Sequence, residues 1–290
     1  MRFMGEVLPK KYLIEYPSNM NIVRLLLHKY RTIRYPEYRQ KHALDKEYRK
    51  LLTYPRYQSG TFELMGKLVK FVDGPSCHFI HKEIFKEEIY RFEATTDKPF
   101  IIDAGANIGL GVLYFKKIYP QAEILAFEPD KTVSNVLLEN IRTFSFSNVT
   151  VIDKALWNEN TTLRFHSEGA DAGRVSTGSD SENVIEVHAV RLRPYLQQRR
   201  VDFLKMDIEG AETTVLKDCA DLLGNVDRIF VEYHSFVGKE QSLPELLALL
   251  KDSGFRLSIS SPGLSSKSPF MKRDTYAGMD MQLNIYGFRN

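Results

Sequence analysis

Apolar and polar positions repeat along this chain in two alternating rhythms. From Phe100 onward, short apolar runs end near Asp103, Glu128, Lys154, Asp207, Glu232 and Ser260. Most are separated by stretches with apolar residues at helical spacing, over 110–119, 130–143, 211–223 and 242–253. Strands that alternate with helices predict right-handed parallel crossovers and a doubly wound α/β sheet. The rhythm breaks between Thr161 and Val190. There 163–166 and 184–188 read as a hairpin-like insertion, and residues 167–182, rich in Gly, Ser and Asp, read as a mobile loop. Residues 281–288 read as a closing strand.

Upstream of Phe100 the pattern is less regular. Residues 19–52 predict a helix in two pieces, with Ile22, Leu25, Leu26 and Tyr30 at helix spacing and a break at Tyr35-Pro36. Residues 61–80 predict short strands with a turn at Asp73-Gly74, and 82–92 predict a helix. No internal repeat is visible.

Composition narrows the class. The 290 residues are 43% hydrophobic and 27% charged, which supports one large globular domain plus an extension. No apolar run reaches the roughly 18 residues of a membrane span, and the first residues lack the apolar core of a signal peptide. Cys77 and Cys219 are too few and too far apart for a disulfide framework or a metal-ligand pattern. A reducing cytoplasm is the expected setting. The net charge of +3 conceals an asymmetry: residues 1–60 hold 13 Lys/Arg against 5 Asp/Glu, a net of +8, and 8 of the 15 tyrosines. We expect 1–60 to be a basic, tyrosine-rich helical extension, suited to homo-oligomer contact or acceptor capture, and 61–290 to be the main domain, with its ligand-binding core over about 98–290.

The chemistry concentrates at the predicted strand ends. Asp103-Ala104-Gly105-Ala106-Asn107-Ile108-Gly109 follows an apolar strand and precedes a helix. Spaced glycines let backbone approach a ligand, and an acid at the strand tip can hold a cationic group. The dinucleotide pattern G-x-G-x-x-G fails twice here, with Asn107 and Leu110 where its second and third glycines should stand. Glu128, at the end of the next strand, can accept from both hydroxyls of a ribose. Asp153 and Ala155 follow the third strand, where an acid can accept from the amine of adenine beside flat apolar room. Asp207, Glu209 and Glu212 crowd the fourth strand end, and close carboxylates shift one another's pKa values. The helix dipole accounts for Glu209 and Glu212 better than for Asp207. Glu232 and His234 end the fifth strand and project to one side, with His234 suited to proton transfer near neutral pH. The chain has no H-x-x-x-H, C-x-x-C, G-x-S-x-G or P-loop pattern, so zinc hydrolase, serine hydrolase and triphosphatase classes lack support.

Taken in order, 83–85 with 90–92, 102–109, 127–130, 140–141, 154–156, 205–212 and 231–234 resemble the FkbM family of S-adenosylmethionine-dependent methyltransferases, over about residues 61–290. The resemblance implies a class I, Rossmann-like fold and methyl transfer to a hydroxyl of a sugar, glycan or natural product. It implies that Asp103, Gly105, Asn107 and Gly109 flank the methionine part of the cofactor, that Glu128 binds ribose, that Asp153 and Ala155 lie at adenine, and that Tyr90 reaches the cofactor tail or the acceptor mouth. His234 or Asp207 is the expected base, with Glu209 and Glu232 orienting it or the acceptor hydroxyls. A variant holds magnesium on Asp207, Glu209 and Glu232. The competing classes are a nicotinamide-dependent oxidoreductase, a non-catalytic Rossmann-like binding module and a nucleic-acid methyltransferase, the last disfavoured by the acidic catalytic half.

Overall fold

The computed structural model describes Arg34 and residues 48–289, apart from 167–173, 176–183, 264–265 and 267. The chain divides into two units, Met1–Arg49 and Lys50–Asn290. Of the helices expected over 19–52, only Arg34 and 48–52 are described, and these are helical; most of the expected loop 167–182 also lies outside the described residues.

A seven-stranded sheet forms the centre of the second unit. Its strands are β3 (Phe100–Ala104), β4 (Glu123–Phe127), β5 (Val149–Ile152), β10 (Phe203–Met206), β11 (Arg228–Phe236), β12 (Arg256–Ser260) and β13 (Met279–Phe288). Their spatial order is β12-β13-β11-β10-β3-β4-β5. The neighbours from β11 through β10, β3 and β4 to β5 are parallel, and β13 runs antiparallel between β11 and β12. β3 and β10 are nearly continuous apolar runs because both faces of a central parallel strand are covered. Helices α2 (Leu110–Ile118), α3 (Lys131–Phe144), α5 (Glu212–Asp218) and α6 (Leu243–Asp252) follow β3, β4, β10 and β11. These match the expected helices to within a few residues, except that the fourth-strand helix stops at Asp218 and a 3₁₀ turn, Ala220–Asn225, continues it.

The insertion forms a second sheet of β6 (Ala155–Trp157), β7 (Thr161–His166), β8 (Arg174–Val175) and β9 (Val184–Arg191), in the order β6-β9-β7-β8. β7 and β9 are antiparallel with Leu163 opposite Val187, the hairpin read from the alternation. The short α4 (Arg193–Gln198) follows β9.

Two expectations change upstream. β1 (Gly60–Leu64) and β2 (Lys67–Phe71) form a hairpin as expected. Asp73-Gly74, read as a strand turn, instead opens helix α1 (Gly74–His81): the Asp73 carboxylate accepts from Ser76 N and Pro75 sits in the first turn. The helix expected over 82–92 is only a π turn, Lys82–Lys86, that extends α1. Glu88 then takes a positive φ of 53°, which ends the helical segment.

Asn140 ties these parts together. Buried on α3, it accepts from Lys70 N at 2.8 Å and donates to Lys70 O at 3.0 Å and to Ile108 O at 2.8 Å. One amide thus joins β2, α3 and the turn that leads into α2. Replacing it with alanine strands three backbone groups, so Asn140→Ala should cost about 2–3 kcal/mol in denaturant unfolding. A loss below about 0.5 kcal/mol would show that the joint is dispensable.

Candidate functional site

Strand order reverses between β3 and β10: the chain continues outward through β4 and β5 on one side and through β11 on the other. In sheets of this kind ligands sit beyond the carboxyl ends of the strands at that point. A cleft of about 490 Å³ lies there. The end of β3 supplies Asp103 to its wall, the turn after it Gly105 and Asn107, and the end of β4 Glu128. Asp207 and Glu209 come from the turn after β10, and Glu232 from β11. Tyr90 and Ala155 also face it.

The turn after β3 is shaped for close approach. Gly105 has φ +81°, and a Cβ there would stand 1.8 Å from the carbonyl oxygen of Asp207. Asn107 also has positive φ, 49°. Its N–H donates to Glu128 Oε2 at 2.9 Å, while Asp130 N donates to Glu128 Oε1 at 3.0 Å. Each Glu128 oxygen therefore keeps one lone-pair direction for a ligand. Burial pushes the Glu128 carboxyl up to about 7, with the two backbone donors and Lys205 opposing the rise.

Asp103 is buried, and neither of its oxygens receives a hydrogen bond. Lys205 Nζ stands 3.4 Å from Oδ1 as an ion pair. Burial raises the Asp103 pKa, Lys205 counters it, and Asp207 adds to it. A Cβ at position 111 would come within 2.8 Å of Asp103 Oδ2, so Gly111 leaves that oxygen room. Two buried carboxylate oxygens without donors suit the ammonium group of a ligand.

Lys205 is itself buried and reaches Asp207 Oδ2 at 3.2 Å, Gly105 O at 2.5 Å and Ala104 O at 3.3 Å. Burial lowers its pKa, but Asp207 and Asp103 more than offset this and hold the ammonium charged.

The acids after β10 divide by role. Glu212 is buried, and its carboxylate accepts from Ile208 N at 3.1 Å and from Gly210 N at 3.0 Å, closing the turn that enters α5. It also meets His234 Nδ1 at 3.2 Å. Glu209 has φ +55° and stands outside α5 on the cleft wall, so the helix-end role expected for it falls to Glu212 alone. His234 Nε2 lies 3.7 Å from Glu232 Oε1 and 3.8 Å from Glu209 Oε2. Burial pulls the His234 pKa down, but Glu209, Glu212 and Glu232 outweigh it and hold the ring as imidazolium. Burial pushes Glu209 upward in turn. For Glu232, burial is outweighed by His234 and by the Gln282 amide, which lower it.

β11 does not end at His234, as its apolar run suggests, but continues to Phe236 with a bulge at Ser235/Phe236. Its parallel pairing with β10 stops at Met206↔Val231, while antiparallel pairing with β13 holds the overhang. That overhang carries Glu232 and His234 past the sheet edge.

Most of the expected site residues converge here, and three do not line the cleft. Asp153 is exposed and pairs with Lys131 at 2.8 Å, while its neighbours Lys154 and Ala155 line the wall. Gly109 packs beside α3, where a Cβ would meet Leu137 Cδ1 at 2.4 Å. His234 lies beneath the carboxylates. Tyr90 is buried between Phe115 and Phe230, with ring centroids at 5.8 and 4.8 Å. Glu83, one of the residues that carry the resemblance but with no site role expected for it, lines the cleft, as does Lys205, expected only to pair with an acid. Burial, with Glu232 and Asp207 nearby, pushes Glu83 up to about 8. The donor atoms of Asp207, Glu232 and His234 fall within 4.8 Å of one another, whereas Glu209 is not in that set. Among the described residues no helix is long and apolar enough to cross a membrane.

Residues 103–257 match the family described as Methyltransferase FkbM domain. "Methyltransferase 1" of Beauveria bassiana is 32% identical over 209 residues, covering 63% of this chain and 83% of that protein. "Methyltransferase sdnD" of Sordaria araneosa is 33% identical over 215 residues, 62% of this chain and 82% of that protein. "31-O-demethyl-FK506 methyltransferase FkbM" of Streptomyces tacrolimicus is 25% identical over 226 residues, 66% of this chain and 86% of that protein.

The state of Glu128 gives a pH test. A protonated Glu128 loses acceptor capacity toward ribose hydroxyls, so affinity for S-adenosylhomocysteine should rise as pH climbs through about 7. For one such group the dissociation constant should be about tenfold weaker at pH 6 than at pH 8. Glu128→Gln should bind more weakly and flatten this profile in calorimetric titration. A wild-type affinity constant across that range would remove Glu128 from the ribose.

Proposed function

The chain belongs to the FkbM methyltransferase family, and from that membership we propose that this S-adenosylmethionine-dependent enzyme transfers its methyl group to a hydroxyl oxygen of a sugar, glycan or natural-product acceptor. The observation that carries this reading is the division of the cleft. One end has the donor-free Asp103 carboxylate and the Gly105 turn; the other has Asp207, Glu209 and Glu232. The name of one relative places a methyl group on an oxygen, which favours the same reading. Membership of this family sets aside the nicotinamide-dependent oxidoreductase and the non-catalytic module.

The residues present fit the cofactor. Asp103 would hold its ammonium and Glu128 its ribose hydroxyls, with Ala155 on the wall beside the adenine. When bound, S-adenosylmethionine supplies a methyl group activated on a sulfonium centre. The chain's work is then alignment and proton removal, since a fixed near-attack geometry takes away much of the barrier.

An alcohol needs a base as its oxygen forms a new bond. Of the two candidates, Asp207 is the better placed. It faces the cleft, and burial raises its pKa against the opposing pull of Lys205. His234 has Nδ1 on Glu212 and Nε2 between Glu209 and Glu232, and as imidazolium it has no lone pair to take a proton. Its part is to hold Glu209 and Glu232 in place toward the acceptor.

A metal-assisted transfer ranks second, on the clustering of Asp207, Glu232 and His234. Lys205 already neutralises Asp207 and the imidazolium already sits against Glu232, so the carboxylates have cationic partners without an ion.

Calorimetric titration with S-adenosylhomocysteine, and with NAD as control, should show micromolar binding of the former alone. Methyl transfer to a panel of sugars and macrocyclic alcohols should follow and should survive dialysis against chelator; loss restored by magnesium would favour the metal-assisted reading. Asp207→Asn should lower kcat by about 10²–10⁴ with S-adenosylhomocysteine affinity retained. Unchanged turnover in that variant would move the base elsewhere.

A further inference from the structure

Glu83 is a carboxylate of the cleft wall that the reading above leaves without a role. It sits in the π turn Lys82–Lys86 that continues α1. Such turns insert an extra residue into a helix at a cost in regularity, and they mark functional sites more often than chance. Here the turn brings both the buried Ile84 and the carboxylate of Glu83 to the cleft.

The Glu83 carboxyl forms no hydrogen bond or ion pair among the described residues. The adjacent cation, Lys82, is committed to Glu87 at 2.7 Å. A half-buried carboxyl on a cleft wall, with no partner of its own, keeps its hydrogen-bonding capacity for a ligand. Its place along the cleft is set by its neighbours. It shares the cleft wall with Asp207, Glu232 and Tyr90, and the charges of Glu232 and Asp207 add to burial in pushing its pKa up. Phe79 and Ile80, one turn earlier, and Met279 and Gln282 of β13 line the same cleft.

We propose that Glu83 is an acceptor-binding residue: its carboxyl holds a second hydroxyl of the acceptor and so selects which hydroxyl is presented for methylation. This rests on the reading that the acceptor is a neutral, polyhydroxylated molecule. Burial keeps the proton on Glu83 at neutral pH, so the group both donates and accepts toward a diol. An uncharged acceptor also matches a wall whose cations, Lys205 and the His234 imidazolium beside it, are already paired with Asp207 and Glu232 and so offer no free charge to a phosphate or carboxylate.

The test compares wild type, Glu83→Gln and Glu83→Ala on a panel of methyl hexopyranosides, with isotope-labelled S-adenosylmethionine and identification of each methylated position by NMR. Glu83→Ala should raise the acceptor KM by about tenfold and spread the methyl group over neighbouring hydroxyls. Its affinity for S-adenosylhomocysteine and its Tm should stay at the wild-type values. Glu83→Gln, which still donates and accepts, should keep the single wild-type product. Unchanged KM and unchanged regiochemistry in Glu83→Ala would overturn the proposal. A parallel loss of S-adenosylhomocysteine affinity would also overturn it, because that would mean a general role in shaping the cleft. A wild type that binds S-adenosylhomocysteine but methylates none of the panel would overturn the neutral-polyol reading, and this proposal with it.

Discussion

The buried ammonium of Lys205 is the constraint on which the cleft depends. It stands between Asp103 and Asp207, the acids at the two strands that flank the reversal of strand order. It also holds the carbonyl oxygens of Ala104 and Gly105. Two carboxylates brought out of water at adjacent strand ends would repel and protonate. One shared cation lets them coexist, and its bonds to the glycine turn fix the backbone that lines the cleft. Removing one partner of such a group leaves uncompensated buried charge, which is far more costly than the pair is favourable. Position 205 therefore governs shape and charge together.

A second buried cation repeats the arrangement one strand further out. The His234 imidazolium lies among Glu209, Glu212 and Glu232. Glu212 seals the turn with its bonds to Ile208 N and Gly210 N, while Glu209 and Glu232 keep faces toward the cleft. Two parts of the cleft are thus built the same way, from acids at strand ends that share a buried cation.

The strand ends and the glycine turn were legible because each is a local signal. An apolar run, then Asp103, then spaced glycines, states strand, acid and close approach within a few residues. The same holds for Glu128, Asp207, Glu232 and the hairpin of β7 and β9. The misreadings fall where local cues compete. Asp73-Gly74 has the composition of a strand turn, yet Pro75 and Ser76 make Asp73 a helix cap. The run from Lys82 to Phe92 has helical spacing, yet the chain leaves helical geometry after Lys86. Asp153 has the right position in the order of strands, but a neighbouring lysine takes its side chain. Gly109 looked like a ligand glycine, and it is required instead by the approach of Leu137.

By itself the sequence determined the fold class, the family resemblance and the strand ends that bear acids, because periodicity and short motifs are properties of neighbouring residues. Only the tertiary structure decided which of those acids share a cation, that His234 is enclosed by three glutamates, and that Glu83 faces the same cleft from a segment 120 or more residues away from Asp207 and Glu232. Those facts are set by strand order, by the overhang of β11 that β13 holds, and by burial, and all three depend on contacts between residues distant in the chain. Charge and protonation follow from burial and from the partners that burial enforces.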